Sequence, residues 1–429
     1  MDDMFIKPKK KVRLQSSSVF NRPAKAPTDD LPEPVFAPPE QVARLEDSAR
    51  PVATLNTPPK PPKKASWWKR QSKKKKLLIG IPTIIILLGG GGAAAYFLTK
   101  KDPVVAPPKP EPIVEKIVEP PKPTTVASEL TGIQVDPPLN SRGVTAVMIE
   151  NSIDARPQSG LLEAGVIHEA IAEGGITRFV ALFQEAQPTY IGPVRSARPY
   201  YIDWILPYSP TYAHAGGSNE ALQMISSLGM KDMEHGVNGS SYQRVSNRYA
   251  PHNLYTTMAN LDAIRTKKGW DSPDFVGFLR KADAPSKTPN ATAIDLKISS
   301  ALYNVHYDYD AATNSYNRSE GGKPHIDEKS SKQLAPKVVI VMVVAYSIHP
   351  DGVHSKYQTL GTGQAYIFQD GTAQEASWTK ASQSTQIDFK DTGGRTISFN
   401  AGQAWITAVG QASMIAYTGP PAPVAGPTP

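Results

Sequence analysis

The sequence predicts an α+β fold, with an α/β layered first half, a β-rich second half and a single transmembrane helix ahead of both. Three observations carry this reading. Leu77 to Leu98 is a run of 22 residues without a charge. Between 129 and 280, apolar runs of strand length alternate with helical patterns. Beyond 293, short β-type runs are separated by Gly, Asp and Asn turns.

Residues 1–76 are rich in Pro, Lys, Ser and Ala and poor in aromatics, the composition of a disordered tail. They hold 18 basic and 8 acidic residues, a net of +10, whereas the rest of the chain holds 29 and 31, a net of −2. The overall +8 therefore belongs to this tail. No aromatic–basic interleaving accompanies it, so the charge points to anionic lipid at a membrane surface, and no nucleic acid is expected as partner.

About 20 apolar residues span a bilayer as a helix, so 77–98 is long enough to cross. Lys69, Arg70 and Lys73 to Lys76 precede the run, against Lys100 and Lys101 after it. The excess of basic residues puts the N-terminus in the cytoplasm and the remainder outside the cell membrane, in a single-pass topology. Trp67 and Trp68 fall at the inner interface, where indoles are favoured. The stretch before the run is too long for a cleaved signal peptide. A proline-rich spacer, 99–128, follows and reaches about 3 Å per residue where it is polyproline-like. The chain has no cysteine, which excludes disulfides, thiolate metal sites and a lipid-modified N-terminal cysteine.

The first folded segment spans 129–280. Gly143 to Glu150 reads as a buried strand, Thr177 to Phe183 and Thr189 to Val194 as two strands of one hairpin, and Pro210 to Ala215 as another strand. Asn219 to Leu228 reads as a helix capped by Ser218. Val166 to Glu173 fits either helix or strand. A linker, 281–292, leads to the β-rich segment 293–418, and 419–429 is a second proline-rich tail. The runs 305–308, 337–344, 364–368, 385–389, 396–399 and 404–409 read as strands, with turns at Asp370-Gly371 and Gly393-Gly394.

The candidate site residues cluster in the first segment. Pairing Phe183 with Tyr190 sets Arg178 opposite Arg195, with Arg198 three residues on. Like charges directly opposite repel, so such a pair calls for an anion or a carboxylate between them. Glu169 and Glu173, four apart, share a face under either period and can supply that carboxylate, hold a metal or act as a base. As salt-bridge partners of the arginines they would instead be structural. His214, Gly216, Gly217 and Ser218 form a strand-to-helix turn whose free N–H groups favour an anion. Asn151 and Arg156 follow the end of the first strand, a common binding position. Arg244, His252 and Asn253 add a further cation, a candidate acid–base group and an amide. There is no nucleophile elbow, Walker loop, zinc-protease helix or dinucleotide fingerprint. No cofactor is specified; a carboxylate-bound Mg²⁺ is compatible with these residues.

The stretches VMIENSIDARPQSGL, HEAIAEGGITRF, YIGPVRSARPYY, YAHAGGS and APHNLY resemble the YerB-like family of bacterial extracytoplasmic proteins, as do YNRSEGGKPHID, GTGQAYIFQDGT, SWTKAS and GQAWI in the second segment. The resemblance covers roughly residues 129–410 and implies a two-part α+β protein of the cell envelope, a domain of unknown function. Many members look like lipoproteins, whereas this chain offers a membrane helix instead. The resemblance brings no catalytic assignment. The leading expectation is therefore a membrane-anchored outer domain that binds an anionic envelope ligand through its arginines. The alternatives are a phosphotransferase or hydrolase acting on a pyrophosphate-linked precursor, in a layout similar to the LytR-CpsA-Psr ligases, and a non-catalytic scaffold. Oligomeric state is not readable.

Overall fold

The computed structural model describes residues 124–420. The expected cytoplasmic tail, transmembrane helix and most of the spacer, and the tail from 421, lie outside the described residues. Among the described residues no helix is long and apolar enough to cross a membrane.

The elements used below, in chain order, are strands β1 (Thr145–Glu150), β2 (Val166–Glu173) and β3 (Ile176–Phe183), helix α1 (Pro199–Ile205), β4 (Thr211–Ala213), α2 (Asn219–Ser227), β5 (Lys231–Asp232) and α3 (Met258–Lys268). The second segment supplies β6 (Ala293–Leu296), β7 (Val305–Asp310), β8 (Ser315–Glu320), β9 (Lys323–Pro324), β10 (Val338–Val343), β11 (Tyr346–Ile348) and β12 (Ser355–Tyr357). It continues with β13 (Gly361–Gln369), β14 (Thr372–Lys380), β15 (Asp388–Asp391), β16 (Ala404–Val409) and β17 (Ile415–Thr418).

One ten-stranded mixed sheet runs through both segments, in the order β15-β14-β13-β10-β16-β2-β3-β1-β4-β5. The segments expected at 129–280 and 293–418 meet where β16 lies parallel to β2, from Ala404 beside Val166 to Thr407 beside Glu169. Strands predominate and helices are few. β1 and β16 are buried at every position, which is why they read as unbroken apolar runs: both faces of the sheet are covered.

One face carries α1, α2 and an aromatic group including Tyr200, Tyr201, Trp204, Tyr357 and Trp378. The other face is covered in two parts. Met258, Leu261 and Ile264 of α3 pack over β1 to β3, and a five-stranded sheet, β9-β8-β7-β6-β17, packs over β10, β13 and β16.

One open local reading is decided and two expectations are corrected. Val166 to Glu173 is a strand. It forms a hairpin with β3 through Gly174-Gly175, whose φ values of 55° and 78° are left-handed and suit glycine. Thr189 to Val194 does not pair with β3; it makes isolated bridges to Ser159, Ile149 and Thr256. Arg178 consequently stands between Ala170 of β2 and Glu150 of β1, not opposite Arg195. Finally, β2 carries a bulge: Ile171 pairs with Thr177, but Glu173 pairs with Ile176. The extra residue, Ala172, turns Glu173 to the face opposite Glu169, so the two glutamates do not share a face.

β2 also buries His168, whose ring stacks on Trp204 with centroids 5.6 Å apart. Its Nε2 has no hydrogen-bond partner. Burial, with a smaller effect of Lys380, pushes this imidazole down to about 3. The folded value lies below the unfolded one of about 6.5, so the unfolded chain takes up a proton that the folded chain refuses. The contribution is full above about pH 6.5 and is lost as pH falls toward 3. We expect His168→Leu to lose about 2 kcal/mol less stability than the wild type between pH 7 and pH 5, read from urea denaturation midpoints of the full chain.

Candidate functional site

A cleft of about 590 Å³ opens where the starts of α1 and α2 face the β11–β12 hairpin. Its inner end is built by residues 194–198, an extended segment threaded between two neighbours. The Arg195 amide donates to the Met148 carbonyl, while the Ala215 and Ala197 amides tie it to the loop ahead of α2. Arg198 caps α1 with an extended backbone, and Pro199 follows at the first helical position, where a missing N–H costs nothing. Gly216 has φ 63°, which carries the chain round into α2. Ser218 Oγ accepts from the Ala221 amide, as its capping role requires.

Glu173 joins two of the predicted arginines here. Its Oε1 accepts from Arg178 Nη2 at 2.6 Å, and its Oε2 accepts from Arg198 Nη2 at 2.5 Å and Nε at 3.1 Å. Arg178 also donates to the Ser196 carbonyl, and Arg198 to that of Ala197. Burial alone would raise the Glu173 carboxyl, but the two guanidinium groups outweigh it and hold it below the usual range. Burial, then repulsion from Arg178, lowers Arg198 from its ordinary value. One carboxylate between two guanidinium groups leaves a net positive charge, and Arg198 lines the cleft.

Of the other predicted residues, Gly217 and Ser218 line the same cleft. Arg195 instead approaches Glu150, Nε to Oε1 at 3.1 Å, and His252 Nδ1 lies 3.1 Å from the other oxygen of that carboxylate. His214 is buried, with Nδ1 at 2.8 Å from the Gly216 carbonyl and Nε2 at 3.0 Å from Asp232. It positions the turn ahead of α2. Arg244 donates to Asn253 Oδ1, and Asn253 Nδ2 donates to the Val245 and Arg248 carbonyls, closing a loop. Glu169 is fully buried and takes both of its oxygens to Arg318 Nη2, each at 2.9 Å, with Trp405 Nε1 donating at 2.8 Å. Asn151 and Arg156 both donate to Glu320 Oε1, beside a second cavity of about 390 Å³. Among the described residues no group of three or more His, Asp or Glu side chains is arranged to hold a metal ion.

The far wall of the cleft comes from the second segment and was not anticipated from sequence: His349, Asp351, His354, Lys356 and Tyr357. Asp203 of α1 also lines it, accepting from Thr359 Oγ1 at 2.5 Å and Gln383 Nε2 at 2.9 Å. The HPDGVH string at 349–354, two histidines around an Asp-Gly turn, was the available signal.

The N-terminal domain of the DUF3048 family, described as a protein of unknown function, matches residues 130–271, and its C-terminal domain matches residues 294–406. The chain belongs to this YerB-like family. "Putative lipoprotein YerB" of Bacillus subtilis (strain 168) is 30% identical over 285 residues, covering 65% of this chain and 85% of that protein. The crystal structure of YerB from Bacillus subtilis is similar with a TM-score of 0.62 at 27% identity, covering 68% of this chain and 99% of that one.

Removing Glu173 leaves two largely buried guanidinium groups without their counter-charge. We expect Glu173→Ala to destabilise the chain by about 2–4 kcal/mol, and Glu173→Leu combined with Arg198→Leu to recover part of that loss, both read by urea denaturation.

Proposed function

We propose that this is a membrane-anchored extracytoplasmic protein whose cleft binds an anionic group of a cell-envelope component. The observation that carries the binding reading is Glu173 shared between Arg178 and Arg198, one carboxylate against two guanidinium groups, with Arg198 lining the cleft together with Lys356. The start of α2 adds the N–H groups that a helix leaves free in its first turn. Phosphate, pyrophosphate or carboxylate groups match that chemistry. The predicted acid–base candidates are committed elsewhere: Glu169 to Arg318 and Trp405, Glu173 to two arginines, and His252 Nδ1 to Ser152 Oγ beside Glu150. Binding is therefore the better supported role.

Two things support the location: the uncharged run 77–98 with its basic inner flank, and the likeness to a protein named as a lipoprotein. On this reading the N-terminus is cytoplasmic and the described residues lie outside.

The ligand test is calorimetric titration of the full chain with inorganic pyrophosphate. We expect saturable binding that Arg198→Met and, independently, Lys356→Met each weaken about tenfold or more. No saturable binding by a folded wild-type chain would overturn the reading.

The topology test uses the absence of native cysteines. We expect a membrane-impermeant maleimide to label Ser384→Cys on intact cells and to miss Ser16→Cys until the cells are opened. Labelling of Ser16→Cys on intact cells would reverse the orientation.

A further inference from the structure

The outer wall of the cleft holds a group that the arginine cluster does not use. His349 and His354 flank the turn between β11 and β12 and both direct Nδ1 at one oxygen of Asp351. The distances to Asp351 Oδ2 are 3.1 Å from His349 and 2.6 Å from His354. The other carboxylate oxygen is occupied: Oδ1 accepts from the Val353 amide at 2.8 Å and the His354 amide at 3.0 Å. The His354 hydrogen bond, then those backbone amides, hold the Asp351 carboxyl well below its usual range. Asp351 is thus a fixed negative charge set by the turn.

His349 Nδ1 has two alternative partners. It lies 3.3 Å from the Asp351 amide nitrogen and 3.1 Å from Asp351 Oδ2. Unprotonated, it accepts from the amide. Protonated, it donates to the carboxylate. A proton therefore changes the charge of this wall without displacing the ring. The hairpin is also held to the inner cluster, since the His354 backbone bridges to that of Glu173 and the Ile171 amide donates to the Tyr357 hydroxyl.

The charges facing this pair come from four elements. Arg198 and Asp203 come from α1, Glu220 from α2, Glu173 from β2 beside His354, and Lys356 from the hairpin itself. Asp203 is engaged by Thr359 and Gln383. With both imidazoles neutral, Asp351 opposes an anion entering between the two walls. With one or both protonated, that opposition is cancelled or reversed.

We infer that His349 and His354 form a second, proton-controlled cationic pole of the cleft, opposite Arg198, which makes a doubly charged anion bind more tightly when these imidazoles are protonated. The inference rests on the anion reading of the cleft. It names His349 and His354 as binding residues in acid and Asp351 as the residue that orients them. An extracytoplasmic domain meets the pH of its surroundings, so the device would couple ligand retention to external acidity.

The test uses inorganic sulfate, whose charge does not change between pH 5.5 and pH 8, and the full chain. Dissociation constants are measured by calorimetry at both pH values. We expect binding about fivefold tighter or more at pH 5.5. His349→Gln with His354→Gln should remove the pH dependence and keep the weaker affinity. His349→Lys with His354→Lys should bind tightly at both pH values, which guards against a Gln pair that disturbs the turn. Sulfate binding of equal strength at both pH values in the wild type overturns this inference and leaves the anion cleft standing. Absence of sulfate and pyrophosphate binding at either pH overturns the anion reading itself.

Discussion

The buried pair between Glu169 and Arg318, in which one guanidinium nitrogen reaches both carboxylate oxygens, is the interaction on which the architecture turns. Both side chains are fully buried. Glu169 comes from β2, at the centre of the ten-stranded sheet, and Arg318 from β8 in the five-stranded sheet above it. Arg318 also lies over the Trp405 ring at 4.3 Å and approaches Glu320. Taking both charges out of water is costly, and a well-packed apolar pair of the same volume could match its stability. What apolar residues could not supply is registry. Arg318 Nη2 meets both oxygens of Glu169 only when β16 lies beside β2 and the second sheet sits at one height above them. The indole of Trp405, on β16, completes the same carboxylate's hydrogen bonds. One buried carboxylate therefore ties together β2, β8 and β16, beside the backbone pairing of β16 with β2 that joins the two sequence segments.

A single bulge then divides the two glutamates between two tasks. Without Ala172 as an extra residue, Glu173 would follow Glu169 onto the face under the second sheet. With it, Glu173 turns toward α1 and finds Arg178 and Arg198. Bulges raise local twist and re-aim side chains, and here the re-aimed side chain sits behind the cleft. The arginines were expected to need a counter-charge, and Glu173 supplies it. The geometry sharpens that expectation, because one carboxylate serves two guanidinium groups and the charge does not balance.

What the sequence disclosed follows from the range of each signal. β1 and β16 were legible as apolar runs, and α2 with its Ser218 cap as a local pattern. Gly174-Gly175 is the hairpin turn joining β2 to β3, and it carries no signal of the register it sets. The missed pairing has a physical reason: alternation shows which residues share a face, while register is set by the turn and by bulges, which leave no periodic trace. β14 was missed because Gln374 and Glu375 are exposed and polar and none of its first four positions is buried, and it is stabilised by β13 and β15 on either side. Half of the candidate site was legible in the same sense. Arg198, Gly217 and Ser218 lie within one stretch and were found together, but His349, Asp351, His354 and Lys356 lie well over a hundred residues away, and only the completed sheet brings them opposite.

The cleft is consequently a property of the joined segments and of neither alone. Its inner end is fixed by hydrogen bonds from 194–198 to β1 and to the loop before α2, all within the first segment. Its outer wall is carried by β11 and β12, held in place where the Tyr200 hydroxyl donates to the Ile171 carbonyl and the Ile171 amide donates to the Tyr357 hydroxyl. Those two tyrosines meet at 4.8 Å between ring centroids, one from α1 and one from the hairpin. Ile171 thus has both backbone groups claimed by side chains from opposite walls, at the residue where β2 begins to bulge. The irregularity that re-aims Glu173 also frees backbone groups that anchor the second wall. A regular strand at this position would pair those groups within the sheet and lose both the carboxylate between the arginines and the attachment of the hairpin that faces it.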